Sequence, residues 1–247
     1  MELISILLAA LFLPLFPFSM VFTGLVRLVR VPVLRFALLL LWPQIGIWLI
    51  APVQLPQAVI IWALASAALY AIRLLTVREL SLWAAFLACS VWALMWTLLA
   101  IGEPPRNLSL YALWFSLPAA MLVLLAGSLT RRFGAAYSGL TAGLMGSMPR
   151  FSGALVVTVL AAIATPPFPS FFALLRIAQE NAFGVAIAAL VIWLVWSWAG
   201  ARLMLGFIAG PTIHDGVTDL ARVKLLLYAG VLAAFSVAGL YAMRGGL

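Results

Sequence analysis

Histidine, cysteine and charged residues are scarce in this chain. Its 247 residues include one histidine, one cysteine and 8% charged residues, whereas a soluble domain carries about 25% charged residues. The only histidine is His214, which excludes a haem held by two histidines of this chain. Catalytic triads and zinc sites usually need histidine as well, and His214 is the only one available. A single cysteine, Cys89, excludes an internal disulfide and a cysteine metal cage, and its apolar surroundings indicate core packing. We therefore expect no cofactor and find no catalytic constellation.

The chain is rich in apolar residues. The chain is 67% hydrophobic with a mean hydropathy of +1.23, which predicts an all-α, polytopic transmembrane helical bundle in a lipid bilayer. The net charge of +8 comes from basic residues placed singly or in pairs at the ends of apolar runs. That placement is typical of loop anchors in a multi-pass protein of the bacterial cytoplasmic (inner) membrane, and no basic stripe indicates nucleic acid as a partner.

Proline, glycine and charge divide the sequence into eight or nine membrane segments within one membrane domain, residues 1–247. The first charge is Glu2 rather than a basic cluster, so we expect a membrane helix there and not a cleaved signal. The glycine-rich stretch 130–150 is predicted to be an interfacial connection. The predicted segments are Leu3–Val26 (kinked at Pro14 and Pro17), Val33–Ile50, Gln57–Leu75, Leu80–Ile101, Leu108–Leu129, Phe151–Thr165, Phe171–Gln179, Phe183–Ile208 and Val223–Met243.

The stretch ATPPFPSFFALLRIAQE predicts a proline-broken helix near 165–180. Pro166, Pro167 and Pro169 remove backbone donors, and in lipid the freed carbonyls must find partners inside the protein or in a wet cavity. Arg176 and Glu180 then lie one helical turn apart, where they would neutralise each other. The alternative is an ordinary loop between two spans with both charges solvated.

Other polar and aromatic residues give weaker indications. His214 beside Asp215 is either a proton-relay pair or a solvated turn before the last helix. The only lysine, Lys224, lies near the start of that helix. The ten tryptophans are predicted to serve as interfacial belts and in helix packing, and Gly139 and Gly143 form a small-xxx-small pair that permits close backbone approach. The positions of the basic residues place the N-terminus outside, and leave the orientation after Thr165 ambiguous.

The stretch GLMGSMP, 143–149, followed by an apolar helix and then ATPPFPSFFALL, resembles a block in the antiporter-like membrane subunits of respiratory complex I. The same family includes multisubunit Na⁺/H⁺ antiporters and the membrane subunits of related hydrogenase and inorganic-carbon-uptake complexes. LVLLAGSLTRRFG, ARLMLGFIAGP and the last helix extend the resemblance over residues 108–247, the C-terminal half of such subunits, while residues 1–107 stay unassigned. The resemblance implies a hetero-oligomer with other membrane or peripheral subunits, like an NADH-quinone oxidoreductase, and proton or cation transport. The chain would at most be a non-catalytic subunit of a translocating enzyme complex.

The departures from this family concern its proton carriers. Family members conduct protons along buried lysines, glutamates and histidines, and the matching positions here are Phe115, Ala119 and Leu174. Arg176, Glu180, Lys224 and His214 remain as candidates for an ion pathway. Three functions stay open: a subunit that works with a partner in coupled transport as scaffold and pathway wall, a structural subunit with a decayed channel, and a free-standing small transporter.

Overall fold

The computed structural model describes residues 2–50, 55–140, 142–211 and 217–243. Within these ranges the chain forms eleven helices and no β-strand, which confirms the all-α prediction. The helices are α1 (Glu2–Phe12), α2 (Ser19–Leu28), α3 (Pro32–Leu49), α4 (Gln57–Leu74), α5 (Leu80–Ala100), α6 (Pro105–Phe133), α7 (Leu144–Ser147), α8 (Pro149–Ala162), α9 (Pro169–Glu180), α10 (Phe183–Ile208) and α11 (Arg222–Met243).

Six of these helices are long and apolar enough to cross a membrane: α3, α4, α5, α6, α10 and α11. The chain is therefore a multi-pass membrane protein. The predicted count of eight or nine segments is not confirmed, because α1, α2, α8 and α9 have only 10 to 14 residues each, whereas a single crossing needs about 20.

Helices α5 and α6 form the centre of the bundle. In α5, 89% of the span is buried inside the protein, whereas in α11 the share is 17%. Because lipid tails are as apolar as leucine, a peripheral helix can keep its hydrophobic side chains facing outward. The remaining helices surround α5 and α6. Cys89 is buried in α5, as its apolar surroundings predicted.

The charges separate into two ends of the bundle. Eleven of the thirteen described Lys and Arg residues lie at one end, which we call the basic end: Arg27, Arg30, Arg35, Arg73, Arg78, Arg131, Arg132, Arg150, Arg202, Arg222 and Lys224. Contacts between distant segments define this end, including the 4.0 Å ion pair from Arg35 to Glu79. Burial raises the pKa of the Glu79 carboxyl, and Arg35 and Arg27 oppose that shift. The other two, Arg106 and Arg176, lie at the opposite end.

At the basic end, a residue distant in sequence caps the N-terminus of α8. The carboxylate of Asp219, just before α11, accepts hydrogen bonds from the backbone N–H groups of Arg150 (2.9 Å) and Phe151 (3.1 Å). These are first-turn donors of α8 that have no partner within the helix. Arg132, at the end of α6, donates to the Asp219 carbonyl at 3.3 Å. The cap therefore fixes α6, α8 and α11 relative to one another.

Candidate functional site

The helix break predicted near 165–180 lies between α8 and α9. Helix α8 ends at Ala162 and α9 begins at Pro169, so the six intervening residues are non-helical. Ile163, Ala164 and Phe168 are buried, whereas Pro166 and Pro167 are exposed, so the protein encloses this break only in part. Proline suits the first position of α9 because the N–H it lacks would have had no helical partner.

The carbonyl groups released by this break accept hydrogen bonds from side chains. One tryptophan of α10 and two hydroxyl groups beside the break supply the donors. The bonds run from Trp193 Nε1 to the carbonyls of Ile163 (3.0 Å) and Ala164 (3.2 Å), from Ser170 Oγ to Ala161 (2.9 Å), and from Thr165 Oγ1 to Leu160 (2.9 Å).

Another break lies near the start of the described chain; we call it the first break, and the break between α8 and α9 the second break. The predicted segment Leu3–Val26 is wrong as one kinked helix, because α1 ends at Phe12 and α2 begins only at Ser19. Pro14 and Pro17 fall between them. Leu13 and Leu15 are fully buried, whereas Phe16 and Pro17 are exposed, so the protein encloses this break only in part as well.

Tryptophans also close the first break, from three different helices. Trp42 Nε1 donates to the carbonyl of Leu11 (3.1 Å), Trp96 Nε1 to Leu13 (2.9 Å) and Trp62 Nε1 to Phe16 (2.6 Å). For these three and for Trp193, the prediction of helix packing is confirmed, since all four belong to or pack against the hydrophobic core. Their indole N–H groups have a further role that was not predicted, because they satisfy backbone carbonyls at the two breaks.

Replacing Trp96 with phenylalanine tests this role. Trp96→Phe keeps an aromatic ring but leaves the buried Leu13 carbonyl without its indole donor, so we expect a loss of about 1–3 kcal/mol in the free energy of unfolding. Titration with SDS in mixed micelles measures it. The control is Trp48→Phe, because Trp48 is 85% exposed and surface changes cost less than about 0.5 kcal/mol. Equal losses in the two variants would contradict the assignment.

A cluster of charges lies at the end of the bundle opposite the basic end. Arg176 Nη1 lies 2.9 Å from Glu180 Oε1, and Arg176 Nη2 lies 3.7 Å from Glu103 Oε2. Asn107 Nδ2 donates to Glu103 Oε1 at 2.7 Å, and the Tyr111 hydroxyl also bonds Glu103. The Glu103 side chain is only 6% exposed, whereas those of Arg176 and Glu180 are 45% and 44% exposed.

The predicted pair of Arg176 and Glu180 therefore forms, but its surroundings differ from the prediction. Arg176 lies seven residues past the start of α9 at Pro169, so about 10 Å of helix separates it from the break. Both side chains are half-exposed, and the buried member of the cluster is Glu103. Glu103 was not among the site residues that the sequence indicated. The available signal was that Glu103 is the only carboxylate between Leu80 and Phe171.

The other two pathway candidates do not join this cluster. Lys224 is exposed in the first turn of α11, at the basic end. His214 and its neighbour Asp215 lie outside the described residues. Of the four candidates, the structure thus brings together only Arg176 and Glu180. Among the side chains described, no group of three or more His, Cys, Asp or Glu residues could hold a metal ion.

The glycine-rich connection joins the basic end to α10. Gly139 N donates to the Gly206 carbonyl and Gly143 N to the Ala209 carbonyl. Gly139 and Gly143 both have positive φ angles, so they are turn residues. Gly143 does allow the close backbone approach that the spacing indicated, since an added Cβ would meet backbone atoms of Pro211. The stretch 130–150 is a connection from residue 134 onward only, because α6 continues to Phe133 and α8 begins at Pro149.

Hydroxyl and indole groups make up the polar interior. In the described part of the chain, the residues that are buried as a whole include Ser and Thr but no Asp, Glu, Lys or Arg, and the buried carboxylate side chain of Glu103 lies in the turn between α5 and α6. Trp196 Nε1 donates to Ser90 Oγ, and Trp92 Nε1 to Ser116 Oγ, each at 2.9 Å. None of these four side chains changes its protonation state near neutral pH.

The three positions that the resemblance in the sequence aligned with proton carriers are also apolar and packed. Phe115, Ala119 and Leu174 are all buried in the hydrophobic core. A low-dielectric interior opposes an uncompensated charge, and nothing at these positions would carry one.

Chains of respiratory complex I share this fold. A chain of the structure "Respiratory complex I from Thermus thermophilus with bound NADH" matches with a TM-score of 0.80 and 21% identity, over 95% of this chain and 53% of that chain. A chain of the Thermus thermophilus complex with bound aureothin matches with a TM-score of 0.60 and 19% identity, over 76% and 44% of the two chains. This chain thus spans about half the length of these structural neighbours. No family model and no curated protein matches it.

Proposed function

We propose that this chain is an integral membrane subunit of a complex I-like assembly and that it supplies a wall and scaffold of the ion pathway rather than its proton carriers. The fold similarity at a TM-score of 0.80 supports the first part. The second part rests on one observation, that the buried polar side chains described within the helices of the bundle are hydroxyl and indole groups, while the buried Glu103 carboxylate lies in a turn at one end.

The two helix breaks support the same assignment. In transporters, the unwound backbone of broken helices coordinates ions through its carbonyl groups. Here the carbonyls of Leu13, Phe16 and Ile163 accept hydrogen bonds from tryptophan side chains. The helices are broken as in transporters, but these carbonyls already accept hydrogen bonds from the protein itself. Such carbonyls suit a structural role rather than the coordination of ions.

The proposed topology has eight crossings. Each broken pair, α1 with α2 and α8 with α9, is counted as one crossing beside the six long helices. Crossings then alternate so that both ends of the described chain lie opposite the basic end. The excess of arginine places the basic end in the cytoplasm of a bacterial cell, with the Glu103 cluster at the outer face of the inner membrane.

A second function is favoured by one observation, the burial of Glu103 beside Arg176. This cluster would admit protons into a pathway shared with a partner subunit. Glu180→Gln discriminates between the two functions, because it leaves Arg176 facing Glu103 and so keeps one balanced pair. We expect unchanged proton translocation by the assembly in liposomes. Abolished translocation with normal assembly would favour the proton-entry function instead.

The variant is interpreted beside two controls. Its assembly level, measured by native gel electrophoresis, separates lost transport from lost assembly. The chain reconstituted alone is expected to give no proton flux above empty liposomes, and a flux there would favour the free-standing transporter.

A further inference from the structure

A polar pocket at the basic end lies between the end of α4, the end of α10 and the glycine-rich connection. Its volume is about 260 Å³, and Arg78 and Arg202 both line it. Leu74, Leu75 and Leu203 form its apolar wall. The pocket is therefore amphipathic, since two arginines and several leucine side chains line it.

The two arginines lack compensation within the described chain. None of the described residues that line the pocket is acidic, and neither guanidinium forms an ion pair with a described carboxylate. Glu79, the residue after Arg78, pairs with Arg35 instead. Two like charges facing one small cavity repel each other, so an anion between them would lower the electrostatic free energy.

The depth of Arg202 indicates what kind of anion fits. It lies six residues before the end of α10 at Ile208, which is about 9 Å along the helix axis. An arginine at this depth in a spanning helix reaches toward the headgroup level. Basic pockets between transmembrane helices at the cytoplasmic side bind anionic lipid headgroups.

We propose that this pocket binds the phosphate headgroup of an anionic phospholipid. Arg78 and Arg202 hold the phosphate oxygens, and the leucine wall receives the beginning of the acyl chains. A free phosphate ion offers the same oxygens but leaves the apolar wall uncovered, so the lipid binds more tightly. The bound lipid bridges α4 and α10 at the basic end.

Native mass spectrometry of the delipidated full chain in detergent tests the site. The probes are phosphatidylglycerol, phosphatidylcholine and inorganic phosphate, each titrated separately. Arg78→Gln/Arg202→Gln removes both guanidinium groups. Arg30→Gln/Arg222→Gln is the charge-matched control, because both residues are exposed at the same end and outside the pocket.

We expect phosphatidylglycerol to bind the wild type and the control alike, and the Arg78/Arg202 double variant about tenfold more weakly. Phosphatidylcholine and inorganic phosphate should bind more weakly than phosphatidylglycerol to the wild type. Equal phosphatidylglycerol affinity in wild type and double variant would overturn the site. An equal loss in the control would mean that total surface charge decides binding, and phosphate binding as tight as lipid binding would overturn the lipid as ligand. Unfolding temperatures of the wild type and both double variants confirm that each of the three forms is folded.

Discussion

Gly239→Ala is expected to destabilise the protein by about 3 kcal/mol. Gly239 lies in α11 where that helix crosses the second break. A methyl group there would lie 2.0 Å from the Pro167 carbonyl oxygen and 2.8 Å from Pro169 N. Both are backbone atoms, so no side chain can rotate away, and α11 must move off the break. This movement of α11 would also separate the stacked rings of Phe168 and Phe235, whose centroids lie 5.9 Å apart.

The same helix offers a matched control. Gly230→Ala adds the same methyl group to α11 where nothing lies within 4 Å, and alanine favours a helix by up to about 1 kcal/mol over glycine. Tryptophan fluorescence on heating in detergent measures both variants. We expect the unfolding temperature to fall by about 10 °C for Gly239→Ala and to stay or rise for Gly230→Ala. Equal unfolding temperatures would refute close packing of α11 on the break.

Gly143→Ala is expected to have the second large effect, a loss of about 3 kcal/mol, because two costs combine there. Gly143 has φ +72°, a conformation that alanine adopts with strain, and a methyl group would lie 2.3 Å from the Pro211 carbonyl oxygen. The connection would then separate from the end of α10.

Gly134→Ala isolates the strain from the steric clash. Gly134 ends α6 with φ +77°, but nothing lies within 4 Å of its added methyl group, so only the strain of about 1 kcal/mol applies. Denaturant titration of both variants gives the difference. A loss for Gly134→Ala as large as that for Gly143→Ala would show that the contact with Pro211 contributes nothing.

Most long helices could be predicted from the sequence because hydropathy and punctuation agree there. The segment Phe183–Ile208 matches α10 at both ends, and Gln57–Leu75 exceeds α4 by one residue. Helix α6 was predicted too short at both ends. Pro105 is tolerated as its first residue, and its last turn carries Arg131 and Arg132, so the helix continues beyond the apolar run that hydropathy detects.

The first break is a feature that hydropathy alone does not predict. Residues 3–26 are apolar almost throughout, and the sequence indicated a bend at Pro14 and Pro17 but not a full interruption. The donors that make the interruption tolerable are distant in sequence, with Trp96 lying 83 residues from Leu13. Such partners follow from tertiary packing, which single-sequence periodicity does not report.

The charge cluster around Glu103 was likewise predictable from the sequence only in part. Arg176 and Glu180 could be paired from the sequence because i and i+4 residues share a helix face. Glu103 could not be added, since the turn between α5 and α6 meets the end of α9 only in the folded chain. The register that places Leu174 at the charged position of the family stays a prediction, and the structure adds that Leu174 is buried.

Purification from native membranes tests the central proposal most directly, that this chain works as a subunit of a hetero-oligomeric membrane assembly. A tagged chain, solubilised in mild detergent, is analysed by size and by mass spectrometry of every co-eluting protein. We predict a particle much larger than the 26.6 kDa chain, with other membrane subunits in fixed stoichiometry. A monomer or a homo-oligomer without other subunits would contradict the proposal.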